Sequence, residues 1–182
     1  MRGKTEMTEE CTGQGAYPVG EFRDVLIDPN GRCVWVRDWQ HNLIVEGLRS
    51  LLAALVKGDA QGAPVTFWAV GNGEVTWDDG VLPPEAALRT RTHLYHETGR
   101  KAIPPGQVTF LGGTFTNQLE ISLEFTTADV PGGGLNWQLR EFAVFAGGST
   151  VADSGVMINH RIHPRIDLQP GFTLQRTLRL TF

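Results

Sequence analysis

The sequence is poor in cysteine and has no long apolar run. Its two cysteines, Cys11 and Cys33, are too few for a disulfide framework and fit synthesis in a reducing cytoplasm. No apolar run approaches the roughly 18 residues that a membrane-spanning helix needs. Residues 1–6 also lack the apolar core of a signal peptide. We therefore expect no membrane partner.

An excess of positive charge is also missing. The 182 residues include 16 Lys and Arg against 20 Asp and Glu, which gives a formal net charge of −4. A module that binds nucleic acid by neutralising phosphates is expected to be basic. We therefore expect no nucleic-acid partner. A hydrophobic fraction of 41% at this length is enough to fill the core of one domain.

Signatures of catalysis and of metal binding are absent as well. The sequence contains no Gly-x-Ser-x-Gly motif. The pairs His93/His96 and His160/His163 are spaced by three, and on a strand such positions point to opposite faces. The stretch 71–80 has carboxylates but not the spacing of an EF-hand loop. We predict no catalytic residue, no metal and no cofactor, and we interpret the histidines as surface or subunit-contact residues.

Glycine and alternating apolar residues are what the sequence has in abundance. Its 22 glycines favour many turns. Apolar and polar residues alternate over 119–126 and 172–182, as in half-buried strands. The turn signal at 28–31, Asp-Pro-Asn-Gly, joins the strand-like segments 22–28 and 33–39 into a hairpin. Several short strands separated by turns predict a mainly β fold, an antiparallel β-sandwich.

One amphipathic helix interrupts the strands. Asn42 is placed to cap its first turn, and Gly58 is placed to end it. The predicted helix covers about 43–57, and a second, short helical turn is predicted over 84–88. The residues that share the apolar face of the long helix are Ile44, Leu48, Leu51, Leu52 and Leu55.

The first 20 residues form a separate segment in this interpretation. They are polar up to Tyr17 and show no apolar period. Such a segment is either an unstructured terminus or an arm that orders on a neighbouring subunit. We predict an extended N-terminal arm over 1–20, with 1–18 in contact with another chain, followed by a single β-sandwich domain over 21–182.

Arginine and tryptophan are the residues most suggestive of an interface. The chain has 13 Arg against 3 Lys, and five Trp. Because Trp and Arg are common hot-spot residues, the interface candidates are Trp35, Arg37, Trp39, Trp77, Arg161 and Arg165. Strand alternation predicts that Trp35 and Trp39 share one face with Arg37 between them. Core filling, and sugar stacking on exposed indoles, are the alternative interpretations of the tryptophans.

Two charged residues break otherwise apolar strand patterns. Arg176 lies on the apolar side of the segment 172–182, and Glu141 lies within the apolar run 139–146. A buried unpaired guanidinium is very costly. Late strands in a sequence often neighbour each other, so we predict an ion pair between Glu141 and Arg176.

The order of several short motifs carries a family resemblance. They are His-Asn-Leu-Ile-Val at 41–45, Phe-Trp-Ala-Val-Gly-Asn-Gly at 67–73, the Leu-to-Arg stretch 88–91, Leu-Arg-Glu-Phe-Ala-Val-Phe at 139–145 and Thr-Leu-Arg-Leu-Thr-Phe at 177–182. This order, over roughly 40–182, resembles tailed-bacteriophage and prophage virion structural proteins of the tail-fibre or baseplate-associated kind.

The resemblance implies a non-enzymatic virion component that is present in multiple copies. Its partners would be other copies of itself and other virion or tail proteins. It would be synthesised in the bacterial host cytoplasm and located in the virion. The alternative function is a carbohydrate-binding β-sandwich that recognises glycans of the host surface.

Overall fold

The structure, a computed structural model, describes residues 17–182. The long helix is α1 (Glu46–Lys57), and a short helix is α2 (Glu85–Arg89). The strands are β1 (Val19–Ile27), β2 (Cys33–Ile44), β3 (Val65–Gly71), β4 (Glu97–Ala102), β5 (Val108–Phe110), β6 (Gln118–Phe125), β7 (Gln138–Ala146), β8 (Val156–Met157), β9 (Asn159–Asp167) and β10 (Thr173–Thr181).

The strands form one antiparallel sheet that curls into a half-barrel. Its order is β4-β3-β7-β9-β2-β1-β10-β6-β5, with β8 beside β7. The two halves face each other across the core: the rings of Phe22 in β1 and Phe142 in β7 lie 5.2 Å apart, and those of Trp68 in β3 and Phe125 in β6 lie 6.4 Å apart. The prediction of a mainly antiparallel β fold with one long helix is confirmed.

The first hairpin forms where the turn residues predict it. Asp28 accepts backbone hydrogen bonds from Asn30 and Arg32 on its carboxylate, and Gly31 closes the turn with a positive φ of 78°. Its strands are longer than the sequence indicates, because β1 begins at Val19. Strand β1 thus includes Val19 and Gly20, the last two residues of the predicted arm, and residues 1–16, on which the rest of that prediction falls, lie outside the described part.

Helix α1 starts later than predicted. The apolar run that precedes it completes β2, where Leu43 pairs with His160 and Ile44 with Asn159. Asn42 caps nothing, since it is buried in β2 and its side-chain oxygen accepts from the Asn159 amide at 3.2 Å. A short apolar run fits a buried strand as well as a helix, so the sequence alone does not decide between them. The pairing with β9 makes this run a strand. The predicted end is correct: Gly58 is left-handed and its backbone N–H bonds back to the last turn.

Packing of α1 depends on its inner face. Leu48 is 2% exposed and Leu55 is 48% exposed. We expect Leu48→Ala to lower the free energy of unfolding by about 2–5 kcal/mol. The matched change Leu55→Ala should lower the free energy of unfolding by less, because about half of the Leu55 surface stays in water in the folded chain. Urea unfolding of the two variants measures both, and equal losses would contradict this packing.

Candidate functional site

Strands β2 and β9 are neighbours that soon separate. After the pairs at Leu43 and Ile44 their ladder ends, and within residues 17–182 no other strand pairs with that side of β2. Pro164 lies at this point of β9, where the pairing with β7 is irregular, and proline has no N–H to donate to a ladder. We call the gap between 33–41 of β2 and 161–167 of β9 the seam.

Arginine side chains bridge the seam in place of backbone bonds. Arg37 Nη2 donates across it to the Pro164 carbonyl at 3.5 Å. Arg161 Nη2 donates in the opposite direction to Gln40 Oε1 at 3.4 Å. Both contacts lie at the long end of the hydrogen-bond range. The two strands are therefore held together loosely along this length.

A buried ion cluster lies behind the seam. Asp24 accepts from Arg176 Nε at 2.6 Å and Nη2 at 2.8 Å, and from Arg37 Nη1 at 3.1 Å. The side chains of Asp24 and Arg176 are fully buried. The contact is bidentate, the geometry in which a guanidinium and a carboxylate interact most strongly.

The predicted Glu141–Arg176 ion pair is wrong. Arg176 lies directly opposite Asp24 in the β1–β10 register, whereas β9, β2 and β1 separate β7 from β10. Glu141 instead accepts from His160 Nε2 at 2.8 Å and from the backbone N–H groups of Tyr95 and His96. Its carboxylate thereby ties the segment before β4 to the sheet.

The two histidines of β9 are buried, which corrects their assignment to the surface. His160 is 1% exposed and His163 is 4% exposed, whereas His93 and His96 are exposed as expected. Since Arg176 Nη2 donates to His163 Nε2 at 3.1 Å, that nitrogen carries a lone pair. The other ring nitrogen of His163 donates to a backbone carbonyl at 2.9 Å. The ring is therefore neutral.

The environment holds His163 in this neutral form. Burial, reinforced by the positive charge of Arg176, keeps the pKa of His163 well below its ordinary value of 6.5. Burial also lowers the pKa values of Arg37 and Arg161. A further positive charge is thus unfavourable at this point of the structure.

The predicted alignment of Trp35, Arg37 and Trp39 is only half correct. Trp35 and Arg37 share the inner face, with the guanidinium 5.4 Å from the indole. A bulge in the β1–β2 pairing inserts one extra residue between Arg37 and Gln40. Trp39 is therefore turned to the outer face, where its ring lies 3.9 Å from the guanidinium of Arg179.

The other three interface candidates come together at one cleft. Trp77, Arg161 and Arg165 line a cleft of about 590 Å³, together with Asp78 and His163. Arg165 bonds to Asp78 at 3.3 Å. Hydrogen bonds from Arg140 lower the pKa of Asp78. The cleft opens beside the seam, since Arg161 and His163 belong to both.

An apolar groove forms a second open surface. Side chains of α1, β5, β6 and the C-terminus enclose about 470 Å³. Leu55 and Phe182 line it and remain 48% and 41% exposed. The described part contains no helix long and apolar enough to cross a bilayer. Within 17–182, no three His, Cys, Asp or Glu side chains gather where they would hold a metal ion.

Sequence reasoning missed Asp24, His163 and Pro164 as members of this site. Asp24 had a usable signal, because it interrupts the inward-facing alternation of Phe22 and Leu26 just as Arg176 does in β10. Two charges that break facing apolar patterns are each other's natural partners. His163 and Pro164 carried no comparable signal.

A double-mutant cycle tests the corrected pair. We expect Asp24→Asn and Arg176→Met each to lower the free energy of unfolding by about 3–5 kcal/mol, because each leaves a buried charged partner unpaired. Their combined loss should fall short of the sum by about 0.5–3 kcal/mol, as expected for residues in contact. The cycle of Glu141→Gln with Arg176→Met is the control and should be additive. Urea unfolding measures both cycles, and additivity of the first would contradict the pair.

The neutral His163 makes stability dependent on pH. Below pH 6.5 the unfolded chain takes up a proton at this residue while the folded chain does not, so stability falls as the pH falls. For one group the slope is at most about 1.4 kcal/mol per pH unit, the limit for a full proton taken up by the unfolded chain alone. His163→Gln should make stability fall less steeply as the pH drops below 6.5. Urea unfolding at a series of pH values measures this. The same slope in wild type and His163→Gln would contradict the assignment.

Comparisons with known proteins supply no relative for this arrangement. No family model matches the chain, and no curated protein and no solved structure matches it. The function of the seam, the cleft and the groove therefore has to follow from their own charges and shapes.

Proposed function

We propose that this protein is a non-enzymatic structural component of a bacteriophage particle. It is tail-associated, as part of a fibre, a baseplate or a tail adaptor, and it acts by assembling with copies of itself and with neighbouring virion proteins. It is made in the cytoplasm of the bacterial host and resides in the virion. The observation that carries the proposal is the apolar groove beside α1, and the order of the motifs over 40–182 supports it.

The groove is a surface of the kind that partners cover. Its lining is almost wholly apolar, and Val56 next to it is 90% exposed. Contiguous exposed apolar patches of this kind mark interaction sites in soluble proteins. In a particle built from repeated copies, such a groove becomes part of a subunit contact. We assign it to a second copy of the chain or an adjoining tail protein.

The tryptophans weigh against the carbohydrate-binding alternative. Stacking on a sugar needs exposed indole rings, but Trp68 and Trp77 are buried. Trp35 and Trp137 are partly buried against the core, and the Trp137 indole N–H donates to a backbone carbonyl at 2.9 Å. Trp39 has one ring face beside Arg179. The core-filling interpretation accounts for more of these rings than sugar stacking does.

The geometry of the titratable groups favours a structural function over a catalytic one. Glu141 and His160 are the pair that most resembles an acid–base dyad, at 2.8 Å. Both side chains are fully buried. The carboxylate is occupied by two backbone N–H groups as well as by the imidazole. A substrate has no access to this pair, so it serves the fold.

Self-assembly through the groove gives a direct test. We expect light scattering of the purified chain to show a multimer. Leu55→Lys should reduce its mass because a charge enters the apolar contact. Val151→Lys is the matched control, since Val151 is 67% exposed and lies away from the groove lining, and it should leave the mass unchanged. A wild-type chain that is monomeric at every concentration tested would contradict assembly with itself.

The location in the particle needs a second measurement. Gold-labelled antibody against the chain should mark the tails of particles released by cells that make it. Label that stays in the particle-free fraction would contradict a virion role.

A further inference from the structure

We propose that helix α1 pairs with α1 of a second copy of the chain, antiparallel and across a two-fold axis near the middle of the helix. The pairing deepens the proposed function and rests on its assembly of copies through the apolar groove. The partner is then a second copy rather than an adjoining tail protein, and the contact is the side of α1 that borders the groove. Exposed apolar side chains, their spacing and two opposite charges support this pairing.

The side of α1 next to the groove leaves large apolar side chains in water. Val56 is 90% exposed, Leu55 is 48% exposed, and Leu52 is only partly buried against the core. Leu52 and Leu55 also line the groove. Contiguous exposed apolar surface marks an interaction site. We therefore expect a partner to cover this side of the helix.

Four residues along this side have the spacing of a helix–helix contact. At intervals of three, four and three positions they are Arg49, Leu52, Val56 and Asp59, which we call the stripe. Residues three and four apart lie on the same face of a helix. Apolar residues repeating in this way form the contact between paired helices. Asp59 lies just beyond the last helical residue, and its backbone N–H bonds to the Ala54 carbonyl at 2.9 Å, which holds it against the last turn.

The stripe is complementary to itself in the opposite direction. In an antiparallel pair centred on residue 54, position 49 faces position 59 of the second copy, and position 52 faces position 56. Each Arg49 then meets an Asp59, and each Leu52 meets a Val56. A parallel pair in register would instead place like charges together at both ends. Charge and shape therefore favour a second copy that runs in the antiparallel direction.

Both charges of the stripe are able to make this contact. Arg49 is exposed, and its hydrogen bond among the described residues goes to a neutral group, the Tyr17 hydroxyl. Asp59 accepts from Lys57 at 2.6 Å and from the Gln61 backbone at 3.0 Å, and 32% of its side chain stays exposed. The bond from Lys57 lowers the pKa of Asp59, so the carboxylate is ionised at neutral pH. A carboxylate has about four acceptor positions, which leaves room for a guanidinium.

Net charge does not oppose the approach of two copies at this side. The whole chain has a net charge of −4, but the segment 46–59 is neutral overall. Its two acidic and two basic residues are Glu46, Asp59, Arg49 and Lys57. Ala53, exposed beside the stripe, is small enough for two helices to come close. The faces of two copies therefore meet without net repulsion.

Exchanged charges in the full-length chain test the pairing. Arg49→Asp and Asp59→Arg should each weaken self-association about tenfold, because both ends of the pair then carry like charges. An equal mixture of the two variants should recover the wild-type dissociation constant, since each supplies the charge that the other lacks. Sedimentation at a series of concentrations measures the dissociation constant, and circular dichroism checks that each variant keeps its helix and strands.

A matched exchange at the hairpin is the control. Arg32 and Asp38 are also exposed and of opposite sign, and they lie outside α1 and the groove lining. Arg32→Asp and Asp38→Arg should leave self-association unchanged, both singly and as a mixture. The same loss and recovery with this pair would overturn the assignment to α1.

Paired cysteines test the direction of the helices. With Cys11 and Cys33 replaced by serine, a mixture of Leu52→Cys and Val56→Cys chains should form a disulfide-linked heterodimer on mild oxidation, because these positions face each other. A disulfide needs Cα atoms within about 7 Å. Either variant alone should therefore stay unlinked. Linking of each variant to itself, with none in the mixture, would overturn the antiparallel arrangement.

The outcomes separate this pairing from the proposed function. If wild type is a multimer and the mixture of exchanged charges associates as weakly as the single variants, the α1 pairing is overturned and self-assembly stands. If Leu55→Lys lowers the mass but exchanged charges have no effect, the groove meets another surface of the second copy, and the pairing is again overturned. A wild-type chain that is monomeric at every concentration overturns both the pairing and self-assembly.

Discussion

The bidentate pair between Asp24 and Arg176 is the interaction on which the rest of the site depends. It joins β1 to β10 with both charges fully buried and directly opposite in register. A register slip of one residue would turn a charged side chain to the other face of the sheet. Its partner would then be buried without a counter-charge. The pair therefore fixes strand register more than it adds net stability, because desolvation offsets much of the attraction. Arg37 and His163 take their positions from it.

The seam follows from the same cluster. Three guanidinium groups around one carboxylate repel one another, and β2 and β9 lie apart where those groups meet. Pro164 removes a ladder donor from β9 at the same level, so long side-chain contacts take over from the backbone. Residues 33–41 of β2 and 161–167 of β9 are therefore linked by side chains and not by a backbone ladder.

Local signals in the sequence predicted much of the fold. The hairpin at 28–31, the helix stop at Gly58 and the alternation in β6 and β10 each depend on a few neighbouring residues, and each is confirmed. The predicted start of α1 is wrong because the apolar run 43–45 suits a strand and a helix equally. Only its pairing with β9, more than a hundred residues later, selects the strand.

The sequence by itself determined that the chain is a mainly antiparallel β protein with one amphipathic helix, and that Arg176 needs a buried partner. Tertiary structure alone decided which partner, because strand order placed β1 rather than β7 beside β10. It also decided the face of Trp39, since one extra residue in a bulge reverses the alternation. Periodicity records only which residues share a face of a strand. Neighbours across a sheet depend on long-range pairing, which no local pattern encodes.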